Sequence, residues 1–411
     1  MKDIVSEYPT PFYIYDERAI RDNIKVLKKA FSWNSAYREY FAVKTTPNPY
    51  ILQIFKEEGC GVDCASETEL LLAKACGFQD ERIMFTSNAT PANEYRLAKN
   101  LGAIINLDDT GHIDFLDRCA GLPGLFCFRF NPGLELRYDN ELVINFRDSK
   151  FGSTKSQIID GINRLRQMGI NRFGIHSQFG AHHKEADYFG THSRYLFDLA
   201  VDIFHTLGIK AEFINLAGGI GIPFRENKPA CDITALSEQL RDSYHDTIIQ
   251  AGLGPIPLFT ELGLFMTGPY GYFVSSVLHI KSTYKKFASL DASTNSFMSP
   301  CRYNHFHHIT VAGKENWECN QLYDVSGALC EGRDRFAIDR RLPELSAGDI
   351  LIFHDAGAYS YSHGNNFNGK LRPAELLLCS DGSVKQIRRA ETPKDYFTTL
   401  DYEGLKEFLG S

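Results

Sequence analysis

Short apolar runs, each followed by a longer stretch with helical spacing of its apolar residues, recur along the first two thirds of the chain. The runs predict buried strands, and the stretches between them, such as Glu67 to Ala75 and Ser193 to Leu207, predict amphipathic helices that mostly end at glycine. The eight predicted strands are Phe41 to Lys44, Gly61 to Ala65, Ile83 to Thr86, Ala103 to Leu107, Leu125 to Phe130, Phe173 to Phe179, Phe213 to Leu216 and Leu258 to Glu261. Strands that alternate with helices indicate a parallel sheet.

Eight strand–helix units over roughly 220 residues are typical of a closed (β/α)8 barrel and fit an open doubly wound sheet less well. From about Met266 the pattern changes to strands with alternating or fully apolar residues and no long helices between them. These strands are Phe273 to Ile280, His308 to Val311, Leu322 to Val325, Asp349 to Phe353 and Ala374 to Leu378. The predicted fold is therefore α/β, with a (β/α)8 barrel over residues 26–265 followed by a mainly β C-terminal domain over 266–411, which residues 1–25 join.

The composition indicates a globular protein without a nucleic-acid or membrane partner. The 411 residues are 43% hydrophobic and 23% charged, and a net charge of -7 argues against nucleic acid. No apolar segment approaches the roughly 20 residues that span a bilayer, and the acidic start is unlike a signal peptide. The ten cysteines are scattered, and the spacing of Cys60 and Cys64 does not suit zinc, so no metal site is predicted and a reducing cytoplasm is expected.

Lys44 closes the first predicted strand and is followed at once by a loop that contains Pro47 and Pro49. In a barrel of this kind the active site lies at the carboxyl ends of the strands, where Lys44 is expected. A desolvated lysine amine loses its proton more easily and can form a Schiff base with an aldehyde such as pyridoxal phosphate. Taken alone, the position also fits a lysine that simply reaches solvent from a strand end.

Two further strand ends carry features of the same chemistry. A glycine-rich loop, Ala217 to Pro223, follows the seventh strand, and its backbone N–H groups could approach a phosphate, although a plain turn fits equally well. Glu261 ends the eighth strand, where a carboxylate could keep a pyridine nitrogen protonated. In the second domain, the segments 327–334 and 355–359 are loops dense in reactive side chains.

In this order, the motifs resemble those of the diaminopimelate and ornithine decarboxylase family, which has an alanine-racemase-like barrel, a C-terminal β domain and pyridoxal phosphate as cofactor. The most specific motifs are Phe41-Ala42-Val43-Lys44, Gly218-Gly219 with Gly221-Ile222-Pro223, Cys330-Glu331 and Asp355-Ala356-Gly357-Ala358-Tyr359. The resemblance extends over nearly the whole chain. It implies a cytoplasmic amino acid decarboxylase of fold type III that acts on a small molecule or a modified peptide.

The resemblance also implies roles for individual residues. Lys44 matches the lysine that binds the cofactor, and Glu261 matches the partner of the pyridine nitrogen. The remaining matches to cofactor contacts are Asp63, Gln178, Gly218, Gly219 and Tyr359. Cys330 and Glu331 match residues that family members lend to the partner subunit, with Cys330 as proton donor, which implies a homodimer with shared active sites. Alone, Cys330 also fits a buried small hydrophobe and Tyr359 an ordinary core tyrosine.

The sequence departs from the family where the family holds the far end of its substrate. Leu264 and Ser299 stand at the positions of two arginines that help to bind the distal carboxylate of diaminopimelate, and Tyr303 and Glu331 complete the expected substrate-binding residues. Gln178 stands where the family usually has a histidine that stacks on the cofactor. Ala181 stands where the family has a serine that contacts the cofactor phosphate. His176, His182 and His183 remain nearby.

Three functions are consistent with these residues. The first is decarboxylation of an amino acid unit whose distal end is not a simple carboxylate, such as the aminocarboxypropyl group in maturation of a peptide–nucleotide antibiotic of the microcin C type. The second is decarboxylation of diaminopimelate in a rearranged pocket. The third is a non-catalytic regulatory homologue, against which the joint retention of Lys44, Glu261, Cys330 and Tyr359 argues.

Overall fold

The structure is a computed structural model, and it describes residues 1–137, 143–178, 186–225 and 228–409. The chain forms two compact units. One contains Arg21–Ile222 and Ala230–Phe265, and the other contains Met1–Ile20, Pro223–Pro229 and Met266–Ser411. The domain bounds given above, 26–265 with 1–25 and 266–411, stay a prediction.

The first unit is a closed parallel barrel of eight strands within the described residues, which confirms the predicted fold. The strands are Arg38–Ala42, Gly61–Cys64, Ile83–Ser87, Ile104–Leu107, Leu125–Arg129, Arg172–His176, Ile214–Asn215 and Leu258–Thr260. The last strand pairs with the first in parallel, with Phe259 opposite Arg38, and so closes the barrel. All eight predicted strands are present, although the sixth ends at His176 and the predicted end at Phe179 lies outside the described residues.

Helices connect the barrel strands, and several begin at side chains that cap them. Asn48 accepts a hydrogen bond from the Tyr50 N–H, and Asp16 accepts one from the Ala19 N–H at 3.0 Å. The longer helices are Glu17–Ala30, Pro49–Glu57, Glu67–Ala75, Ala92–Asn100, Ile113–Ala120, Lys155–Gln167, Ala186–Leu207 and Ile233–Tyr244. Within the described parts of the chain, no helix combines the length and apolar character needed to cross a bilayer.

The second unit is built on a nine-stranded mixed sheet, counted over the described residues. Its strands are Phe12–Asp16, Gly271–Ser282, Lys286–Leu290, Ile309–Val311, Gln321–Ser326, Arg335–Leu342, Ile350–Phe353, Ala374–Leu378 and Val384–Arg388. The N-terminal strand lies between Gly271–Ser282, to which it is antiparallel, and Ala374–Leu378, to which it is parallel. This explains how the start of the chain joins a C-terminal β unit.

An aromatic layer fills part of the barrel interior. Tyr40, Phe213 and Phe259 are buried together, and the rings of Phe213 and Phe259 stack with centroids 4.6 Å apart. Gly174, on the sixth strand, makes room for this layer, because a Cβ atom there would lie 2.2 Å from the Phe213 ring. The absence of a side chain at this position therefore lets the stacked rings occupy the barrel centre.

We expect Gly174→Ala to destabilise the protein by about 1–3 kcal/mol, because the added methyl group displaces the Phe213 ring in a close-packed core. Gly190→Ala is the matched control, since a Cβ atom at this helical position would meet no atom of the described residues within 4 Å. The control should be stabilised by about 0.5–1 kcal/mol. The shift in the midpoint of denaturant-induced unfolding measures both effects. Equal midpoints for the two variants would show that the ring layer adapts without cost.

Candidate active site

Lys44 lies just beyond the carboxyl end of the first barrel strand. The sequence predicted it as the last strand residue, but the strand ends at Ala42 and Lys44 sits in a short 3-10 turn, Val43–Thr45. Parallel pairing with the second strand stops where Ala42 lies opposite Asp63, which frees the next residues to turn. The neighbours of Lys44 in the turn are buried, whereas its own side chain is 52% exposed.

Asp63, in the second strand, lies close to the Lys44 amine. Its side chain is buried, and Oδ2 lies 3.7 Å from the Lys44 Nζ atom. Burial and the nearby charge of Glu261 raise the pKa of Asp63 well above its ordinary value, while Lys44 opposes that rise. The two acidic groups and the lysine therefore share one electrostatic environment.

Glu261 follows the last barrel strand, as predicted, and its carboxylate is buried. The Asn215 amide donates a hydrogen bond to Oε1 at 2.7 Å, and the His176 Nε2 atom lies 3.3 Å from Oε2. Burial alone would raise the pKa of Glu261, but its interactions with His176, Lys44 and Asn215 outweigh burial and lower the pKa below its ordinary value. The site thus holds a buried carboxylate in its ionised form.

The glycine-rich loop passes directly against Glu261. A Cβ atom on Gly218 would lie 2.3 Å from the backbone carbonyl oxygen of Glu261, so position 218 admits only glycine. Gly219 has a φ of 117°, a conformation that also favours glycine. The Gln178 side chain accepts a hydrogen bond from the Gly218 N–H at 3.3 Å, which places Gln178 beside the loop. Ala181, His182 and His183 lie outside the described residues.

Several side chains of this site were not singled out from the sequence. Asn215 and Glu39 were missed. His176 was named as a nearby residue, but no contact was predicted for it. The Glu39 carboxyl group is buried, where it accepts hydrogen bonds from the Leu262 N–H at 2.7 Å and from the Thr260 hydroxyl, and so holds both neighbours of Glu261. A carboxylate directly before the apolar residues Tyr40 to Val43 was the available signal, because a charged residue beside a buried run needs a partner.

In the second unit, Cys330 and Glu331 lie in the connection between the strands Gln321–Ser326 and Arg335–Leu342. Cys330 is exposed, so the alternative of a buried small hydrophobe is wrong, and its backbone N–H donates to the Asn368 side chain at 2.8 Å. Glu331 is exposed and lines a cavity of about 550 Å³. The cavity wall also contains Cys301, Arg302, Arg333, Leu329, Met298, Thr294, Asn295, Asn365 and Phe367.

Ser299 is buried in the second unit, where its hydroxyl contacts two imidazoles. The Oγ atom lies 3.0 Å from the His305 Nδ1 atom and 2.8 Å from the His307 Nε2 atom. Tyr303 is partly exposed, and its ring stacks on His305 with centroids 5.4 Å apart. Leu264, the other residue at an arginine position, is buried in the barrel unit. Histidines around Ser299 were not predicted.

Tyr359 ends the loop Asp355-Ala356-Gly357-Ala358-Tyr359 with a φ of 55°. Its side chain is half-buried, and its ring stacks on His363 with centroids 5.8 Å apart. A Cβ atom on Gly357 would lie 2.0 Å from the Thr267 carbonyl oxygen, so this loop, too, requires glycine for close backbone packing. Tyr359 is thus held at a fixed loop end and is not an ordinary core tyrosine.

Comparison with known proteins identifies relatives of the whole chain. The family model "Pyridoxal-dependent decarboxylase, pyridoxal binding domain" matches residues 17–268. Protein TabA of Pseudomonas amygdali pv. tabaci is 36% identical over 99% of this chain and 95% of its own length. Diaminopimelate decarboxylase of Methanothermobacter thermautotrophicus is 33% identical over 96% of this chain and 92% of its own length.

Among solved structures, diaminopimelate decarboxylase from M. jannaschii superposes with a TM-score of 0.90 at 26% identity, and covers 97% of this chain and 94% of that chain. The similarity therefore includes both the barrel and the β unit. The family model spans more than half of the chain and includes Lys44, the glycine-rich loop and Glu261. On this sequence similarity and the shared fold, the chain belongs to the pyridoxal-dependent decarboxylases.

Proposed function

We propose that this protein removes the α-carboxylate of an amino acid unit whose distal end is not a simple carboxylate, such as the aminocarboxypropyl group of a peptide–nucleotide antibiotic of the microcin C type. The hydrogen bonding of Ser299 is the observation that carries this proposal. Ser299 stands at one of the two positions where the family resemblance leads us to expect an arginine, and its hydroxyl proton is already committed within the protein.

The direction of these hydrogen bonds follows from the backbone. The His307 Nδ1 atom lies 2.9 Å from the His354 carbonyl oxygen, which can only accept, so Nδ1 carries a proton. Burial lowers the pKa of His307 to about 3, so the ring is neutral and its Nε2 atom is an acceptor. Ser299 therefore donates its proton to His307 and accepts a hydrogen bond from the His305 Nδ1–H.

This arrangement disfavours a distal carboxylate on the substrate. The Ser299 hydroxyl has no second proton to donate, and Leu264, at the other arginine position, offers only an apolar side chain. A carboxylate that leaves water beside either residue loses charge-assisted hydrogen bonds that this residue does not replace. A neutral or larger distal group does not suffer this penalty.

The residues of the barrel fit pyridoxal phosphate. When bound, the cofactor supplies an electron sink for the carbon that loses CO2. We assign the attachment of the cofactor to Lys44. We assign the control of ring protonation to Glu261, whose ionised form can accept a hydrogen bond from the protonated pyridine nitrogen. Gly218, Gly219 and Tyr359 are assigned to the phosphate, and Asp63 and Gln178 complete the set. The lowered pKa of Glu261 and the glycines required beside it support this assignment.

We further propose that Cys330 returns a proton to the substrate carbon, and that Cys330 and Glu331 act in the site of a second subunit of a homodimer. Both side chains are exposed, which is compatible with such a role. All ten cysteines, which fall within the described residues, are free of disulfides, and this supports a reducing cytoplasm as the location.

Diaminopimelate decarboxylation is the second candidate function. It is favoured by the relative from M. thermautotrophicus and by a solved structure of diaminopimelate decarboxylase from M. jannaschii in co-complex with L-lysine, which has a TM-score of 0.89 at 26% identity. The two functions differ in whether the distal carboxylate is accepted.

We expect the protein to release CO2 from amino acids with neutral or extended distal groups and to use diaminopimelate poorly. The unpaired carboxylate should lower kcat/KM for diaminopimelate by some tens- to thousands-fold, which corresponds to about 2–5 kcal/mol. Mass spectrometry of candidate substrates after incubation detects the loss of CO2. The double variant Leu264→Arg with Ser299→Arg should raise activity on diaminopimelate relative to the neutral substrates. Efficient use of diaminopimelate by the wild-type protein would refute the first function and establish the second.

Mixed dimers test the shared site. Lys44→Ala and Cys330→Ala subunits should each be inactive alone, and equal mixing with random exchange should restore about a quarter of wild-type activity, since half of the dimers then hold one intact site. Mixtures of Lys44→Ala with Lys44→Ala,Cys330→Ala subunits are the control and should stay inactive. Mass spectrometry demonstrates that the subunits have exchanged. If activity is still not recovered, both residues serve the site of the same chain.

Glu39→Ala should destabilise the protein by about 1–3 kcal/mol, because it leaves the buried Leu262 N–H without its acceptor. The same change should weaken cofactor binding, since the residues on both sides of Glu261 lose their hydrogen bonds to position 39. Glu39→Gln is the matched control, because its amide oxygen can still accept from Leu262. Thermal unfolding and titration with pyridoxal phosphate report the two effects. Wild-type values for Glu39→Ala would show that the strand end is held by other contacts.

A further inference from the structure

Two arginines of the second unit lie over the same aromatic ring. The central guanidinium carbon of Arg225 is 4.2 Å from the centroid of the Phe306 ring, and that of Arg340 is 3.9 Å from it. The two carbons are therefore no more than about 8 Å apart. Among the residues that the structure describes, no carboxylate forms an ion pair with either arginine. Two positive groups are thus held together, and no carboxylate of the described residues pairs with them.

Packing fixes this pair in place. Arg340 donates a hydrogen bond to the His307 carbonyl oxygen at 2.6 Å, which uses one of its five N–H donors. Partial burial and the charge of Arg225 lower the pKa of Arg340 to about 10, because the positive charge of Arg225 disfavours the charged form of Arg340. A guanidinium whose face covers a ring keeps its donors directed along its own plane, past the ring edge. The donors of both arginines therefore remain available to a ligand.

The pair is continuous with the surroundings of Ser299. Phe224, next to Arg225 in the chain, stacks on His305 with centroids 4.4 Å apart and packs against His307. His307 in turn binds Ser299 through Nε2 and Arg340 through its carbonyl oxygen. Contacts within one unit thus connect the two arginines to the residue that we assign to the distal part of the substrate.

We propose that Arg225 and Arg340 bind an oxyanion, either a phosphate ester or a carboxylate, carried by the part of the substrate beyond the amino acid unit. The inference rests on the proposed function, because it names the chemical class of a group attached beyond the distal end of the amino acid unit. Contact with the Phe306 ring attracts each guanidinium but does not remove the repulsion between the two positive charges. An anion shared by both removes that repulsion and forms charge-assisted hydrogen bonds with each.

Binding of inorganic phosphate and of acetate to the holoenzyme tests the site. The cofactor already fills its own phosphate site in the holoenzyme, so broadening of the 31P signal of added phosphate reports a second site. Arg225→Gln and Arg340→Gln should each weaken binding of the anion about ten- to hundredfold, because each variant loses hydrogen bonds from a charged donor. Arg341→Gln is the matched control, because Arg341 is adjacent on the same strand and faces the opposite side.

Loss of phosphate binding alone in the two variants assigns the site to a phosphate ester, and loss of acetate binding alone assigns it to a carboxylate. Binding that is absent in the wild type, or equal in all variants, overturns the inference.

Measurements of activity separate this result from the proposed function. With matched amino acids that differ only in a distal oxyanion, the two variants should raise KM for the charged member and leave its neutral analogue unchanged. Failure of every substrate to release CO2 contradicts the proposed function, whereas the phosphate titration still decides the arginine site.

Discussion

A carboxylate that must stay ionised away from water constrains the barrel around it. Glu261 is buried, and removal of one partner from a buried charge typically costs about 3–5 kcal/mol. Its partners, His176 and Asn215, come from the ends of the sixth and seventh strands, so three neighbouring strand ends must keep one relative position. The requirement for glycine at 218 follows from the same packing, because the loop passes against the backbone of Glu261.

The second unit presents a different kind of surface. Aromatic and imidazole rings are in contact in the order Tyr359, His363, Tyr303, His305 and Phe224. Ser299 lies beside this row, with its proton directed to His307. Such a surface offers ring faces and neutral polar atoms, which suits a planar or extended group better than a compact charged one. The positive charge around this row comes from Arg302, whose central guanidinium carbon lies 5.3 Å from the centroid of the Tyr303 ring, and from Arg225 and Arg340 over Phe306.

The barrel could be predicted because every strand is a short apolar run and every connection contains a helix. Lys44 and Glu261 were identified for the same reason, since a charged residue at the end of such a run is conspicuous. The strands Lys286–Leu290, Arg335–Leu342 and Val384–Arg388 were missed because charged residues on their exposed faces obscure the alternation. The partners of Ser299 could not be predicted, because hydrogen-bond direction depends on which backbone carbonyl a distant fold element supplies.

The short turn that carries Lys44 combines buried neighbours with a half-exposed side chain. Val43 and Thr45 are anchored in the interior on either side, whereas the four-carbon arm between them is half exposed. An amine that leaves a partner and later returns to it can therefore move by rotation about side-chain bonds alone. The penalty is the rotamer entropy of one lysine, about 2 kcal/mol, and no loop needs to open. A barrel whose strand ends are held in place around a buried carboxylate is thus compatible with a lysine that reorients by bond rotation alone.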